Sequence, residues 1–392
     1  MTTMRQRDAV ANGPQDMLDG LQALRGIAAV MVVIDHAMLA VIPYDPHFAP
    51  LGDFAGTIGK MGVNLFFVIS GFIMMYTTEP TRTYAPSHRF SDFAWKRLTR
   101  LVPLYWLATL LTIAVGAIEG FHYTSGHILT SFTFLPNFED AVDPRMTPIV
   151  GVGWTITYEM LFYSLFALCL LFPRQIGPAA CMAIIVGMVV CGAVAAGHVQ
   201  DPELRRIVAF YSYKNMLFFT VGIAIAIGFR RMPQVAGPIA IGGSLTLMVA
   251  ALTSYWEFRL QNGGLVWQVV SFLTCTCVGL LAAGNARRSD IPARRLLLHI
   301  GNASFSTYLF HAPILHFLAS LSAPWLVRGY GSAFIIVAAL PCLVAGSLIH
   351  TGIELPITRA VRSIRRRHRS ARVPVGRDFP QPQATAAIEA PR

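Results

Sequence analysis

The chain is 392 residues long, 54% hydrophobic and only 13% charged, with a formal net charge of +11 and a mean hydropathy of +0.54. A water-facing domain carries roughly 25% charged residues, so a soluble globular enzyme, a disordered chain, collagen and a coiled coil are all excluded. The composition predicts an all-α, polytopic bundle of transmembrane helices.

A helix needs about 20 mostly apolar residues to cross the hydrocarbon core. Ten stretches meet that requirement: 20–42, 61–79, 98–118, 152–172, 179–197, 213–229, 235–254, 264–284, 296–320 and 333–354. Turn-like segments such as Phe172-Pro173-Arg174 and Arg231-Met232-Pro233 separate them. With the N-terminus inside, most of the 31 Lys and Arg residues fall in inner segments, among them Arg82, Arg89, Lys96, Arg97, Arg100, Arg230, Arg231, Arg294, Arg295 and the arginines from Arg359 onward. The outer segments hold Lys60, Arg145, Arg205, Arg206, Lys214, Arg259 and Arg328. This asymmetry predicts an N-in, C-in topology. It also accounts for the positive charge without a nucleic-acid partner, while Arg365-Arg366-Arg367-His368-Arg369 is placed to meet anionic lipid headgroups.

The organisation expected is a cytoplasmic N-terminal segment over 1–19, a membrane domain over 20–356 and a basic tail over 357–392, disordered from about residue 370. Residues 1–20 contain Asp8, Asp16 and Asp19 and no apolar run, so they do not read as a cleavable signal peptide. Cys169, Cys181, Cys191, Cys275, Cys277 and Cys342 all fall within predicted spans and read as packing residues, with no disulfide framework. The two halves share no repeated motif, which speaks against an inverted-repeat transporter.

Ionisable residues inside a span are costly and face a cavity or a partner. Arg25 and His36 are eleven positions apart, about 20° past three full turns, so they share a helix face about 16 Å apart along the axis. Asp35 points about 100° away and reads as an interfacial residue near the outer surface. In the second span, Ser70 and Gly71 permit close helix packing, with Asn64 a candidate pore residue. Arg97 and Arg100, at i and i+3, share a face at the inner mouth of the third span, where guanidinium forks suit phosphate. Glu159 is the sole carboxylate of the fourth span, which opens Gly153-Trp154-Thr155-Ile156-Thr157-Tyr158. A carboxylate there needs a partner, and Arg25, His36 and Arg100 are the candidates. Ser304, Tyr308 and His311 form an i, i+4, i+7 stripe on the ninth span. Glu354 reads as a helix-end contact to a basic loop, and His47, His88, His122, His127, His198 and His368 read as solvated. No P-loop, dinucleotide fingerprint, zinc signature or nucleophile elbow is present, so neither a metal nor a cofactor is expected.

Six segments in order resemble the acyltransferase family 3 membrane proteins. They are Leu21-Gln22-Ala23-Leu24-Arg25 with His36, Phe66-Phe67-Val68-Ile69-Ser70-Gly71-Phe72, Arg97-x-x-Arg100 with Tyr105-Trp106, Gly153-Trp154-Thr155 through Glu159, Ser304 through His311, and Glu354-Leu355-Pro356. Thr155 stands where Ser is common in that family, and Leu355 where Arg or Lys is common. The resemblance implies a multi-pass enzyme of the bacterial cytoplasmic (inner) membrane that takes acetyl-CoA as co-substrate. Its acceptor would be a polysaccharide or lipid-linked glycan, its surroundings membrane lipids and polysaccharide-assembly proteins. The segments around 21–36 and 62–73 are most similar to exopolysaccharide and nodulation-factor O-acetyltransferases of the stand-alone type.

On that resemblance His36 would be general base, or a transient acyl acceptor, with Arg25 steadying developing charge and Glu159 fixing the His36 tautomer or neutralising Arg25. Arg97 and Arg100 would hold the acetyl-CoA phosphates. Asn64, Ser70, Trp154, Tyr158, Ser304, Tyr308 and His311 would line the pore or the acceptor path. The rival expectations are acyl transfer to a non-sugar acceptor and a transporter without acyl chemistry.

Overall fold

The computed structural model describes residues 13–78, 85–139, 146–173, 175–195, 197–231 and 292–370, and all its regular secondary structure is helical. The predicted spans 235–254 and 264–284, with Cys275 and Cys277, lie outside the described residues. So do residues 1–12 and the tail beyond 370. The longer helices are α1 (Gly13–Val41), α2 (Gly52–Thr77), α3 (Pro86–Ile118), α4 (Ser125–Thr133) and α5 (Trp154–Cys169). They continue with α6 (Gly177–Ala195), α7 (Pro202–Tyr211), α8 (Leu217–Arg231), α9 (Pro292–Leu326), α10 (Gly331–Ile349) and α11 (Leu355–Ser370).

Among the described residues, 8 segments are long and apolar enough to cross a membrane. They coincide with the eight predicted spans that lie inside the described regions, which makes this a multi-pass membrane protein. Their bounds differ instructively. Helix α3 begins at Pro86, well before the predicted start at 98, with the proline in its first turn where the missing N–H costs nothing. At 33 residues it is about 50 Å long, against a hydrocarbon core of about 30 Å. Its basic first turns therefore belong to the headgroup layer. Helix α9 likewise runs through Pro313 and Pro324 without ending.

Helix α1 is central, packing on α2, α9 and α10. It runs parallel to α9 at backbone contact: a Cβ on Gly301 would collide with the Gln22 carbonyl, and His36 lies ring to ring with His311. A second backbone crossing joins α2 and α8, where a Cβ on Gly71 would strike the Phe219 carbonyl and one on Gly222 the Val68 carbonyl. Hydrocarbon tails offer no hydrophobic drive for helix association, so small residues that admit close backbone packing supply it instead. Around this crossing Phe67, Phe219 and Phe162 stack with centroids 4.3 Å and 4.1 Å apart. Helix α10 passes into one π-helical turn, His350–Glu354, before α11.

Candidate functional site

Helices α1, α2, α3, α5 and α9 enclose a cavity of about 700 Å³, open side included. Its walls are mostly apolar, but Arg25, Arg100, Glu159, Ser70, Tyr163 and Ser304 converge on it. Glu159 is answered by hydroxyls. Ser70 donates to Oε1 at 2.7 Å, and Tyr163, one turn further along α5, donates to the same oxygen. Of the three partners considered for Glu159, Arg25 and Arg100 share its cavity and His36 does not line it. Arg25 is steadied by Gln22, one turn back, whose Oε1 accepts from it at 3.3 Å. Gln22 in turn donates to Asn302 Oδ1 at 2.8 Å, which ties α1 to α9. Ser304 is fully buried, and its hydroxyl has no partner among the described residues.

Tyr308 separates this cavity from the histidines. Its hydroxyl donates to the Val152 carbonyl at 2.9 Å and lies 2.7 Å from Thr155 Oγ1, so the Thr in place of Ser at 155 keeps a hydrogen-bonding group there. Beyond Tyr308 sits His311, ring centroids 5.7 Å apart, and beyond that His36, edge to face at 4.8 Å. His311 Nδ1 lies 2.7 Å from the Tyr308 carbonyl, and His36 Nδ1 3.0 Å from the Val32 carbonyl. A carbonyl only accepts, so each Nδ1 is the donor, and in the neutral ring Nε2 then keeps its lone pair. The His311 Nε2 is buried without a partner.

Asp35, expected at the interface, is instead 5% exposed, with Oδ2 3.2 Å from His36 Nδ1. The wheel places it 100° from His36, but Gly59 of α2 leaves room for its carboxylate to turn back, since a Cβ there would overlap it.

The arginines expected to act as a pair have separate surroundings. Arg100 opens into the large cavity. Arg97 lines a smaller one of about 240 Å³ with Thr77, Arg89, Asp92 and Lys96. Its guanidinium lies over the Phe93 and Tyr163 rings, at 5.5 Å and 5.8 Å, and donates to Thr77 Oγ1 at 3.1 Å. Asn64 is away from the cavity and accepts from Asn215 Nδ2 at 2.7 Å, joining α2 to the start of α8. Trp154 and Tyr158 belong to an aromatic cluster in which Tyr158 is stacked between Phe210 at 4.6 Å and Tyr213 at 4.8 Å.

Glu354 does not touch a basic loop: it is buried in the π turn, where Oε2 accepts from Ser306 Oγ and faces His350 Nδ1, both at 2.7 Å. His127, read as solvated, has Nε2 3.2 Å from the Thr147 carbonyl. Tyr163 and His350 escaped sequence reasoning, and Asp35 was read only as an interfacial residue. For Tyr163 and His350 the signal was available, a hydrogen-bonding ring one turn from a buried carboxylate. Among the described residues no group of three or more His, Cys, Asp or Glu side chains could hold a metal ion.

The family model Acyl_transf_3, an acyltransferase domain, matches residues 18–352. The chain belongs to acyltransferase family 3. Within the family it is 30% identical over 321 residues to the exopolysaccharide production protein ExoZ of Rhizobium meliloti, covering 79% of this chain and 92% of that one. It is 24% identical to the putative peptidoglycan O-acetyltransferase YrhL of Bacillus subtilis and to the O-acetyltransferase OatA of Staphylococcus aureus. Those matches take in 89% and 87% of this chain but only 56% and 57% of the relatives, so the chain spans little more than half their length. No solved structure matches. As a family 3 member with O-acetyltransferases among its relatives, the protein is an O-acyltransferase, and the transporter reading is set aside.

Proposed function

We propose that the protein moves an acetyl group from cytoplasmic acetyl-CoA to a hydroxyl of a polysaccharide or lipid-linked glycan, in the bacterial inner membrane. In this reading it has ten spans with both termini inside. The observation that carries the reading is the order of groups along the bundle. A cavity holding two guanidinium groups and one carboxylate ends at Tyr308, and behind Tyr308 stand His311 and then His36, ring against ring. Names among the relatives supply the acetyl group and the glycan: OatA is an O-acetyltransferase and ExoZ an exopolysaccharide production protein.

With the N-terminus inside, Arg25 and Arg100 stand on the cytoplasmic side of His36, where an anionic donor enters. Their positive charge would hold donor phosphate, and Glu159, whose Oε1 accepts from Ser70 and Tyr163, lines the same cavity. The pantetheine arm would extend past Tyr308 to bring the thioester to His36. His36 Nε2 takes the proton of the acceptor hydroxyl as its oxygen attacks the thioester carbonyl carbon. The C–S bond breaks, the thiolate takes that proton back from the imidazolium, and the products are the O-acetyl ester and free CoA. Arg25, about 16 Å from His36 along the helix axis, would act on the bound donor and not on the tetrahedral intermediate. The acyltransferase unit of this reading is the membrane domain over 20–356, with Ser304, Tyr308 and His311 along the path.

The test is CoA release from acetyl-CoA by the purified full-length protein given envelope polysaccharide. Release that requires both the glycan and His36 supports the reading. Glycan-independent release, or turnover that survives His36→Ala, overturns it.

A further inference from the structure

The Asp35 carboxylate is buried inside a membrane-spanning helix, next in sequence to His36 and 3.2 Å from its Nδ1. A carboxylate in that environment needs a compensating partner. Among the described residues its ion partner is His36, and its second oxygen, Oδ1, has no hydrogen bond. On α9, His311 has committed its own N–H to the Tyr308 carbonyl, so it has none left for Asp35 or His36. On α2, the group against Asp35 is Gly59, where any side chain would occupy the carboxylate's place, and the adjacent Lys60 is exposed.

We propose that Asp35 is the positioning residue of His36. Its carboxylate holds the imidazole as the Nδ1–H tautomer, so Nε2 is the atom presented to the acceptor hydroxyl. It also balances the positive charge on the ring while His36 carries the acceptor's proton. The Val32 carbonyl, 3.0 Å from the same Nδ1, shares the first task, but as a neutral dipole it contributes little to the second. The proposal rests on the reading of His36 as general base.

The experiment compares wild type, Asp35→Asn, His36→Ala and the double variant as full-length protein in nanodiscs. It measures glycan-dependent CoA release and, separately, the Kd for acetyl-CoA. Asp35→Asn is expected to lower kcat about 10- to 100-fold with the Kd unchanged, and to cost nothing further in the His36→Ala background, because the two residues act as one unit. Wild-type turnover by Asp35→Asn beside an inactive His36→Ala overturns the proposal and leaves the base reading standing. An equal loss in both backgrounds also overturns it, since a merely structural role behaves that way. Wild-type turnover by His36→Ala removes the base reading, and the role of Asp35 with it. A measurement on the wild type needs no variant to fold well for catalysis: the 15N histidine signal that disappears in His36→Ala should show the proton on Nδ1. A proton on Nε2 overturns the proposal.

Discussion

Among the described residues, His350 and His36 each lie beside a buried carboxylate, and the two pairs differ in what they leave over. In the π turn, Glu354 Oε2 is shared between His350 and Ser306 at 2.7 Å each, and none of the side-chain polar atoms of the three is orphaned. On α1, Asp35 meets His36 at a longer 3.2 Å, Asp35 Oδ1 is orphaned, and the neighbouring His311 Nε2 is orphaned as well. Nearly all buried polar atoms in folded proteins find partners, so a local group of exceptions asks for an explanation. A saturated cluster fastens helices together, and an unsaturated one keeps capacity for a substrate. The arginines differ in another way: Arg100 opens into the large cavity, while Arg97 lies over two rings with its Nε buried and unpartnered among the described residues.

Substitutions should sort along this line, and the largest effect is expected at the open pair. His36→Ala should lower glycan-dependent CoA release about 10³-fold per folded molecule, beyond whatever stability is lost by leaving Asp35 without its partner; unchanged turnover per folded molecule would erase the distinction. Glu354→Ala should do the opposite. It leaves His350 and Ser306 without their shared acceptor, which is expected to cost about 3 kcal/mol of stability, read by thermal melts, while turnover per folded molecule is kept. The arginines give the next contrast. Arg100→Ala should raise the KM for acetyl-CoA about tenfold, roughly one charge-assisted hydrogen bond. Arg97→Ala should leave KM alone and lower stability by about 1–2 kcal/mol through its two ring contacts. Smallest is Asn64→Ala, which strands the Asn215 amide inside the bundle at a cost of about 1 kcal/mol and should leave kinetics unchanged. A KM effect at Asn64 would move it from the saturated class to the open one.

The same division explains what could be read in the sequence. Hydropathy located ten spans, eight of them among the described residues and matched there, because each must fill the same hydrocarbon thickness, whatever its neighbours. It misplaced the start of α3, since a helix can continue into the headgroup layer on a basic, polar first segment. Arg25, Glu159, Ser304 and Tyr308 were legible as polar residues at apolar positions, and they do converge on one cavity. Partners were harder to read. A helical wheel reports which way a Cα–Cβ bond points on its own helix, and says nothing of the neighbour. Asp35 turns back to His36 because Gly59, on a different helix, vacates the space. Arg97 is taken up by Phe93 and Tyr163, residues whose proximity to it depends on how α3 meets α5.

The crossing of α2 and α8 has a consequence for the reaction cavity. At Gly71 and Gly222 main chain rests on main chain, so there is no rotamer to yield under load. Ser70, the residue before Gly71, is thereby fixed in height and azimuth before any substrate arrives, and its hydroxyl holds Glu159 Oε1. The joint works as a machinist's datum: one wall of the cavity is set against bare backbone, and any adjustment that a substrate demands is left to the other seams.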